Sequence, residues 1–281
     1  MTTTGPFGAR LRAAMDERGP LCAGIDPHVG LLDAWGLTET VDGLRSFALG
    51  AAEALGPVAA AVKPQSAFFE RFGSAGIAVL EETIAICREA GALVILDVKR
   101  GDIGSTAQAY ADAYLDRTSP IAVDAITASP FLGFGSLEPM IETARRNDAG
   151  VIVLALTSNP EGPEYQHATK VDGRTVAGSV LDSLRAANAG AGPLGSFGAV
   201  VGATIDPGAV QVDLDINGPL LVPGIGAQGG TADDVRRIFG DVLDLVLPAS
   251  SREILGAGPD QAALRAAVAS SAESFARLAG R

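Results

Sequence analysis

Three charged residues, an acid, a base and a second acid, lie within six positions directly after an apolar run. They are Asp97, Lys99 and Asp102, and the run is 92–96. The run is short, uncharged and rich in aliphatic residues, which predicts a strand that is buried on both faces and ends at Asp97. Because side chains alternate along a strand, Asp97 and Lys99 are expected to project from the same face, with Asp102 in the following loop. A carboxylate beside an ammonium group can take part in acid–base chemistry, although a lone pair of this kind is more often a structural salt bridge.

Two further apolar runs are followed by charged residues of the same alternating kind. Asp26 follows the first run and Lys63 follows the second. Opposite charges about 4 Å apart in a cleft attract by roughly 4 kcal/mol at an effective dielectric constant of 20, so each partner keeps the other ionised. The clustering of these two residues with Asp97, Lys99 and Asp102 predicts a reaction centre rather than isolated salt bridges.

The elements that must position these residues repeat along the 281-residue chain. Eight apolar runs are predicted to be strands: 21–25, 58–62, 92–96, 122–127, 151–156, 199–203, 219–222 and 243–247. Apolar residues at helical spacing, together with a proline suited to a first turn, predict helices between and after them. The predicted helices are 38–55, 73–90, 102–115, 137–146 and a closing helix over 259–279.

Alternation of strand and helix predicts parallel strands joined by right-handed crossovers, and eight is the strand number of a TIM barrel. We therefore predict an α/β protein in which residues 1–281 form a single (β/α)8 TIM-barrel domain. A doubly wound open sheet also alternates, but the polar strand endings favour the barrel, whose active site collects residues from every strand end. The segment 204–218 is short and polar, so the sixth helix is expected to be a single turn or absent.

Composition argues against several classes of partner and site. The formal net charge of −12 and the isoelectric point near 4.6 oppose binding to nucleic acid or to anionic membranes. No apolar run is long enough to span a bilayer and the first residues lack the basic region of a signal peptide, which predicts a cytoplasmic protein. Cysteine and histidine are too rare for a disulfide framework, a zinc site or a histidine-based triad. They are Cys22, Cys87, His28 and His167, so acid–base work falls to Lys, Asp and Glu.

Two loops are candidates for a phosphate site, and a third segment is a candidate lid. The seventh run leads into the glycine-rich segment 223–231, and the eighth leads to Ser251 and Arg252. Backbone amides of a glycine-rich turn can approach phosphate oxygens, and a guanidinium group can bind the anion through two hydrogen bonds. The segment 161–174 shows no apolar periodicity and is either a lid over the site or a long surface loop.

Taken together, these motifs resemble the orotidine 5'-phosphate decarboxylase family. The pattern DxKxxDIxxT over 97–106, with Asp26, Lys63 and the loop 223–230, carries the resemblance. The phrases GIDPH, KPQSAFFE, KRGDIGST and LTSNP are similar to the longer subgroup of the family, known from mycobacteria and other bacteria. The resemblance covers about residues 24–255.

The resemblance implies a TIM-barrel enzyme that converts orotidine 5'-monophosphate to uridine 5'-monophosphate and CO2, the last step of UMP biosynthesis, with no metal or other cofactor. It implies that Lys99 donates a proton to C6 of the pyrimidine within a charged tetrad that also contains Lys63, Asp97 and Asp102. It also implies a homodimer in which Asp102 and Thr106 reach into the neighbouring subunit's site.

The substrate contacts that the resemblance implies are distributed over several strand ends. They are Asp26 and Lys63 at the ribose, Ser158 at the pyrimidine edge, Gln228 and Arg252 at the phosphate, and Pro223 and Ser251 in the two phosphate loops. Ser251 departs from the family, in which glycine often precedes the arginine; its amide can still donate, but its side chain needs room. Two other functions stay open: a metal-dependent decarboxylase or epimerase of phosphosugars on the same barrel, and a nucleotide sensor without turnover.

Overall fold

Eight parallel strands form a closed barrel in chain order, which confirms the predicted fold class. The computed structural model describes residues 4–205, 212–225 and 231–278. The strands are β1 Cys22–Ile25, β2 Ala61–Pro64, β3 Leu93–Arg100, β4 Ala125–Ala128, β5 Gly150–Leu156, β6 Phe197–Val201, β7 Leu220–Val222 and β8 Val246–Ser250. β1 pairs in parallel with both β2 and β8, which closes the barrel.

Helices follow most strands and surround the barrel. They are α1 Phe7–Arg18, α2 Val29–Ala34, α3 Val41–Leu55, α4 Ala67–Glu70, α5 Gly73–Glu89, α6 Gly104–Leu115, α7 Glu138–Arg146, α8 Gly162–Gln166, α9 Val176–Ala187, α10 Ala232–Phe239, α11 Arg252–Leu255 and α12 Gln261–Leu278. Two 3-10 helices cover Phe134–Leu137 and Gly240–Leu245. The five helices predicted from periodicity correspond to α3, α5, α6, α7 and α12. Between β6 and β7, the described residues 202–205 and 212–219 form no helix.

Three strands begin three residues later than the apolar runs predict. Residues 58–60, 122–124 and 243–245 precede β2, β4 and β8 and lie in turns or in a 3-10 helix. Most of these residues are nevertheless buried, Ala59 and Val123 among them. An apolar run indicates that residues are buried but not that they are extended. A buried turn has the same composition as the strand that follows it, so the start of the strand is misplaced.

The third strand ends later than predicted, because it continues past Asp97 to Arg100. Asp97 pairs with Gln65 beside β2, and Arg100 pairs with Ala128 of β4. The β3–β4 register shifts between Leu96 and Arg100. The charged residues of β3 therefore lie on a distorted strand end rather than at the start of a loop.

Helix α1 closes the amino-terminal end of the barrel. Its apolar face, which includes Phe7 and Leu11, packs against inward-facing strand residues such as Ile95 and Leu247. Arg10 of this helix forms a buried ion pair with Asp124 at 2.6 Å. With this end filled, the opposite end, where the strands terminate, is the end available for a site, as in other TIM barrels.

Removing the largest α1 side chain should destabilise the barrel without touching its open end. Phe7 is fully buried, so Phe7→Ala is expected to lower the free energy of unfolding by about 3 to 5 kcal/mol through lost burial and a residual cavity. Urea unfolding followed by circular dichroism measures this. Val171→Ala, at a fully exposed side chain, serves as the control and should change stability by less than about 0.5 kcal/mol. An equal effect of the two substitutions would contradict the packing assigned to α1.

Among the helices of the described ranges, none combines the length and the apolar character needed to cross a membrane.

Candidate active site

A buried carboxylate lies between two lysine ammonium groups where β2 and β3 end. Lys63 Nζ is 3.1 Å from Asp97 Oδ2, and Lys99 Nζ is 2.5 Å from Asp97 Oδ1. Asp97 and Lys63 are buried, whereas the Lys99 side chain is 45% exposed. Asp97 and Lys99 thus lie together as predicted, although the backbone of Lys99 is left-handed rather than regularly extended. The arrangement fixes one ammonium inside the protein and leaves the other within reach of a ligand.

The charges in this group keep one another ionised. Burial by itself would raise the pKa of Asp97, but Lys63, Lys99 and the hydrogen bonds from Lys99 and Thr127 outweigh burial and lower that pKa to about 2. Burial would likewise lower the pKa of Lys63, but the charges of Asp26 and Asp97 reverse this and raise it. At neutral pH Lys63 is therefore an ammonium ion and Asp97 a carboxylate, in keeping with the alternating charges that the sequence predicts.

A cavity of about 260 Å³ adjoins this group at the ends of β1, β2, β7 and β8. Asp26, His28 and Lys63 line one side, and Pro223 and Arg252 line the other. The Oδ1 atom of Asp26 is buried and has no hydrogen-bond partner among the described residues. A buried carboxylate oxygen without a donor is costly, so this atom is suited to accept a hydrogen bond from a ligand hydroxyl.

The cavity wall near Arg252 carries two buried hydroxyl groups. The Oγ atoms of Ser250 and Ser251 are both buried without a hydrogen-bond partner in the described structure. Space for the Ser251 side chain comes from Gly24, because a Cβ atom at position 24 would lie 2.6 Å from Ser251 Cβ. Helix α11 begins at Arg252 but has only four residues, so its dipole adds little. Gln228, with the rest of 226–230, lies outside the described residues.

Asp102 and Thr106 are at the same end of the barrel but apart from the charged group. Asp102 Oδ1 accepts a hydrogen bond from the Ile103 amide at 2.8 Å, and Thr106 is exposed on α6. Within the described part of this single chain, no hydrogen bond or ion pair joins Asp102 to Lys63 or Lys99. The structure therefore brings together three members of the predicted tetrad and leaves the fourth outside.

Ser158 follows β5 at the same end of the barrel, close to Gly202 at the end of β6. The segment after it is more ordered than a long loop, since it contains α8 and a bridge between Thr169 and Thr175. Gln166 of α8 accepts a hydrogen bond from the Thr157 amide and donates one to the Thr157 hydroxyl. The predicted lid segment is thus tied to the end of β5.

Two residues at the site, Thr127 and His28, were not predicted from the sequence. Thr127 of β4 donates to Asp97 Oδ1 at 2.8 Å and accepts from the Lys99 amide at 2.9 Å. Its only signal was a hydroxyl residue inside an apolar run. His28 lines the cavity with its ring edge-on to Phe68, and its signal in the sequence was its position two residues after Asp26.

Comparison with known proteins relates this geometry to a family. The model of the orotidine 5'-phosphate decarboxylase / HUMPS family matches residues 19–267. The chain belongs to this family. An orotidine 5'-phosphate decarboxylase from Nocardioides sp. is 68% identical over 254 residues, which cover 89% of this chain and 92% of the relative. One from Streptomyces coelicolor is 59% identical over 262 residues, covering 93% and 94%.

Solved structures agree with the sequence relatives. A Streptomyces avermitilis chain assigned as an orotidine 5'-phosphate decarboxylase has 57% identity and a TM-score of 0.96, over 100% of this chain and 98% of that one. The OMP decarboxylase of Leishmania donovani has 30% identity and a TM-score of 0.76, over 98% and 100%. Family membership confirms the resemblance stated from the motifs. Each of the four relatives named above carries the name of an orotidine 5'-phosphate decarboxylase.

Proposed function

We propose that the protein decarboxylates orotidine 5'-monophosphate to uridine 5'-monophosphate and CO2, the last step of UMP biosynthesis, and that Lys99 is its proton donor. The observation that carries this assignment is Asp97, buried and ionised between Lys63 and Lys99 at the open end of the barrel. The names of the near full-length relatives support the same reaction.

The chemistry requires a cation beside the reacting carbon. Loss of CO2 from C6 leaves an electron pair in the plane of the pyrimidine ring, where it cannot delocalise into the π-system. The Lys99 ammonium stabilises this charge as it develops and then transfers a proton to C6. Asp97 holds the ammonium at 2.5 Å, so little reorganisation is needed during the reaction. The sequence of steps uses side chains of the protein and calls for no cofactor.

The cavity residues supply binding at a distance from the reacting carbon. Asp26 Oδ1, which is buried without a donor, accepts from a ribose hydroxyl, and Lys63 donates to the same sugar. Arg252 binds the phosphate together with the Ser251 amide, and Pro223 shapes the wall of the cavity. We assign Gln228 to the phosphate and Ser158 to the pyrimidine edge by their positions in the family motif. Binding energy from the phosphate can then be used to hold the reacting group in place.

The catalytic unit is proposed to be a homodimer. Two neighbouring segments beside Asp102 and Thr106 expose large apolar side chains: Ile103 is 63% exposed, Phe131 76% and Leu132 53%. The segments touch, since Ser129 N donates to Arg100 O. A second copy that covers this apolar surface buries it and carries Asp102 and Thr106 towards the neighbouring site.

We further propose that residues 1–281 form one domain and that the enzyme acts in the cytoplasm. Continuous strand pairing around the barrel and the helix α12 packed on α3 support one domain. Both cysteines of the chain are buried and free, which is typical of proteins that do not rely on disulfides.

The first experiment follows loss of orotate absorbance when the purified protein meets orotidine 5'-monophosphate in excess EDTA. Rapid loss at an unchanged rate with and without the chelator is expected, because the proposed steps involve only lysine and aspartate. Loss that stops on chelation would contradict the proposed metal-free mechanism, and no loss of absorbance at all would favour a metal-dependent enzyme acting on phosphosugars. Tight binding of uridine 5'-monophosphate without turnover would instead favour a sensor.

A further inference from the structure

Thr127 occupies the point at which β3 and β4 lose their register. Leu96 pairs with Ile126, and the next pair is Arg100 with Ala128. Three residues of β3, numbers 97–99, therefore lie opposite the single residue Thr127 of β4. A strand with extra residues of this kind bends and re-aims its side chains. Here the bend contains both Asp97 and Lys99.

The Thr127 hydroxyl group makes two hydrogen bonds whose directions are fixed. Its oxygen accepts from the Lys99 backbone N–H at 2.9 Å, and its proton is donated to Asp97 Oδ1 at 2.8 Å. A backbone N–H can only donate and an ionised carboxylate can only accept, so neither bond can be reversed. The Thr127 side chain is almost completely buried, which keeps solvent from competing for either bond.

One of these bonds holds the backbone of Lys99 directly, and the other holds the carboxylate that binds its ammonium group. The backbone of Lys99 is left-handed, with φ of 46°, a conformation that a residue with a Cβ atom rarely adopts. Thr127 holds its amide there in place of a strand partner. At the other end, the Lys99 ammonium is bound by the Asp97 oxygen that also receives the Thr127 proton. One hydroxyl group thus orients both the backbone and the counter-ion of Lys99.

We propose that Thr127 is a positioning residue for Lys99, holding the β3 bulge and the Asp97 carboxylate in the geometry that aims the ammonium at the reacting carbon. This inference rests on the role proposed for Lys99 above. Thr127 itself needs no contact with substrate, and it transfers no proton in the reaction.

Substitution by an isosteric residue tests the hydroxyl group directly. Thr127→Val keeps the branched shape and removes both hydrogen bonds, leaving the Lys99 amide without its acceptor. We expect kcat to fall by about 10- to 100-fold, the range set by the loss of one buried polar interaction, with KM changed by less than about threefold. Thr127→Ser restores the hydroxyl and should return kcat to within about threefold of the unsubstituted enzyme.

Thr83→Val is the matched control, because Thr83 is also buried and its hydroxyl donates to Val79 O at 2.7 Å within α5. It removes a buried hydroxyl hydrogen bond within α5 and should leave kcat unchanged. If Thr127→Val does not fold, Thr127→Cys, which has similar size and only a weak donor, should give a kcat clearly below that of Thr127→Ser.

Unchanged kcat in Thr127→Val or Thr127→Cys would overturn the inference, and so would an equal loss in Thr127→Ser or in Thr83→Val. The role of Lys99 is tested separately: full activity of Lys99→Ala would remove the proposed mechanism itself, whereas an inactive Lys99→Ala beside a fully active Thr127→Val would remove only the role of Thr127.

Discussion

Lys99→Ala is expected to lower kcat by more than about 10⁴-fold, because one side chain supplies both electrostatic stabilisation of the carbanion and the proton that quenches it. The loss should appear in kcat rather than in folding, since the Lys99 side chain is half exposed and its truncation leaves no buried cavity. Asp97 keeps Lys63 as a buried partner in this variant. Steady-state loss of orotate absorbance, with melting temperature measured in parallel, provides the test.

A control for loss of an exposed cation is available on the outer helices. Arg45 of α3 forms an ion pair with Glu82 of α5, and its side chain is 47% exposed, close to the exposure of Lys99. Arg45→Ala should change stability little, because exposed ion pairs contribute little, and should leave kcat unchanged. Activity of Lys99→Ala within tenfold of the control would eliminate Lys99 as the proton donor.

Mixing two inactive variants is expected to restore activity. If Asp102 acts across a dimer interface, a heterodimer of Lys99→Ala and Asp102→Ala contains one site with both residues intact, the lysine from one chain and the aspartate from the other. Random pairing makes half of the dimers mixed, each with one of two sites complete, so about a quarter of the full activity should return. The variants are co-expressed with different affinity tags, or unfolded together and refolded, before the assay.

The matched control combines Lys99→Ala with Asp97→Ala, because those two residues meet within one chain at 2.5 Å. No mixed dimer can then assemble a complete site, and activity should stay at the level of the separate variants. Absence of restored activity in the Lys99 and Asp102 mixture, despite mixed dimers on the affinity column, would return Asp102 to its own chain's site or remove it from the mechanism.

The barrel could be predicted because the sequence patterns that indicate it involve residues close to one another along the chain. Apolar runs, helical periodicity and charged strand ends are properties of neighbouring residues, and they identify eight strands and the residues that follow them. The starts of β2, β4 and β8 were misplaced because buried turns share the composition of buried strands. The extension of β3 to Arg100 depends on pairing with Gln65 and Ala128, residues that lie about thirty positions away on either side.

The site was predictable in residue types and only partly in arrangement. The proximity of Asp97 and Lys99 could be predicted from their spacing of two residues. The burial of Asp97, the left-handed backbone of Lys99 and the contact of both with Thr127 depend on register between strands. The proposed role of Asp102 could not be derived from one chain. Its sequence motif points to the reaction, but one chain alone does not bring it to the lysines, so that role rests on the homodimer proposed above.

The close approach of Gly24 to Ser251 restricts how this end of the cavity can evolve. With only 2.6 Å available to a Cβ atom at position 24, side chains cannot be present on both sides of the contact. A chain that carries serine at 251 is therefore restricted to glycine at 24, and a side chain at 24 becomes possible only after 251 has changed to glycine. The order of mutations, and not only their identity, is thus constrained by one contact between β1 and the residue that follows β8.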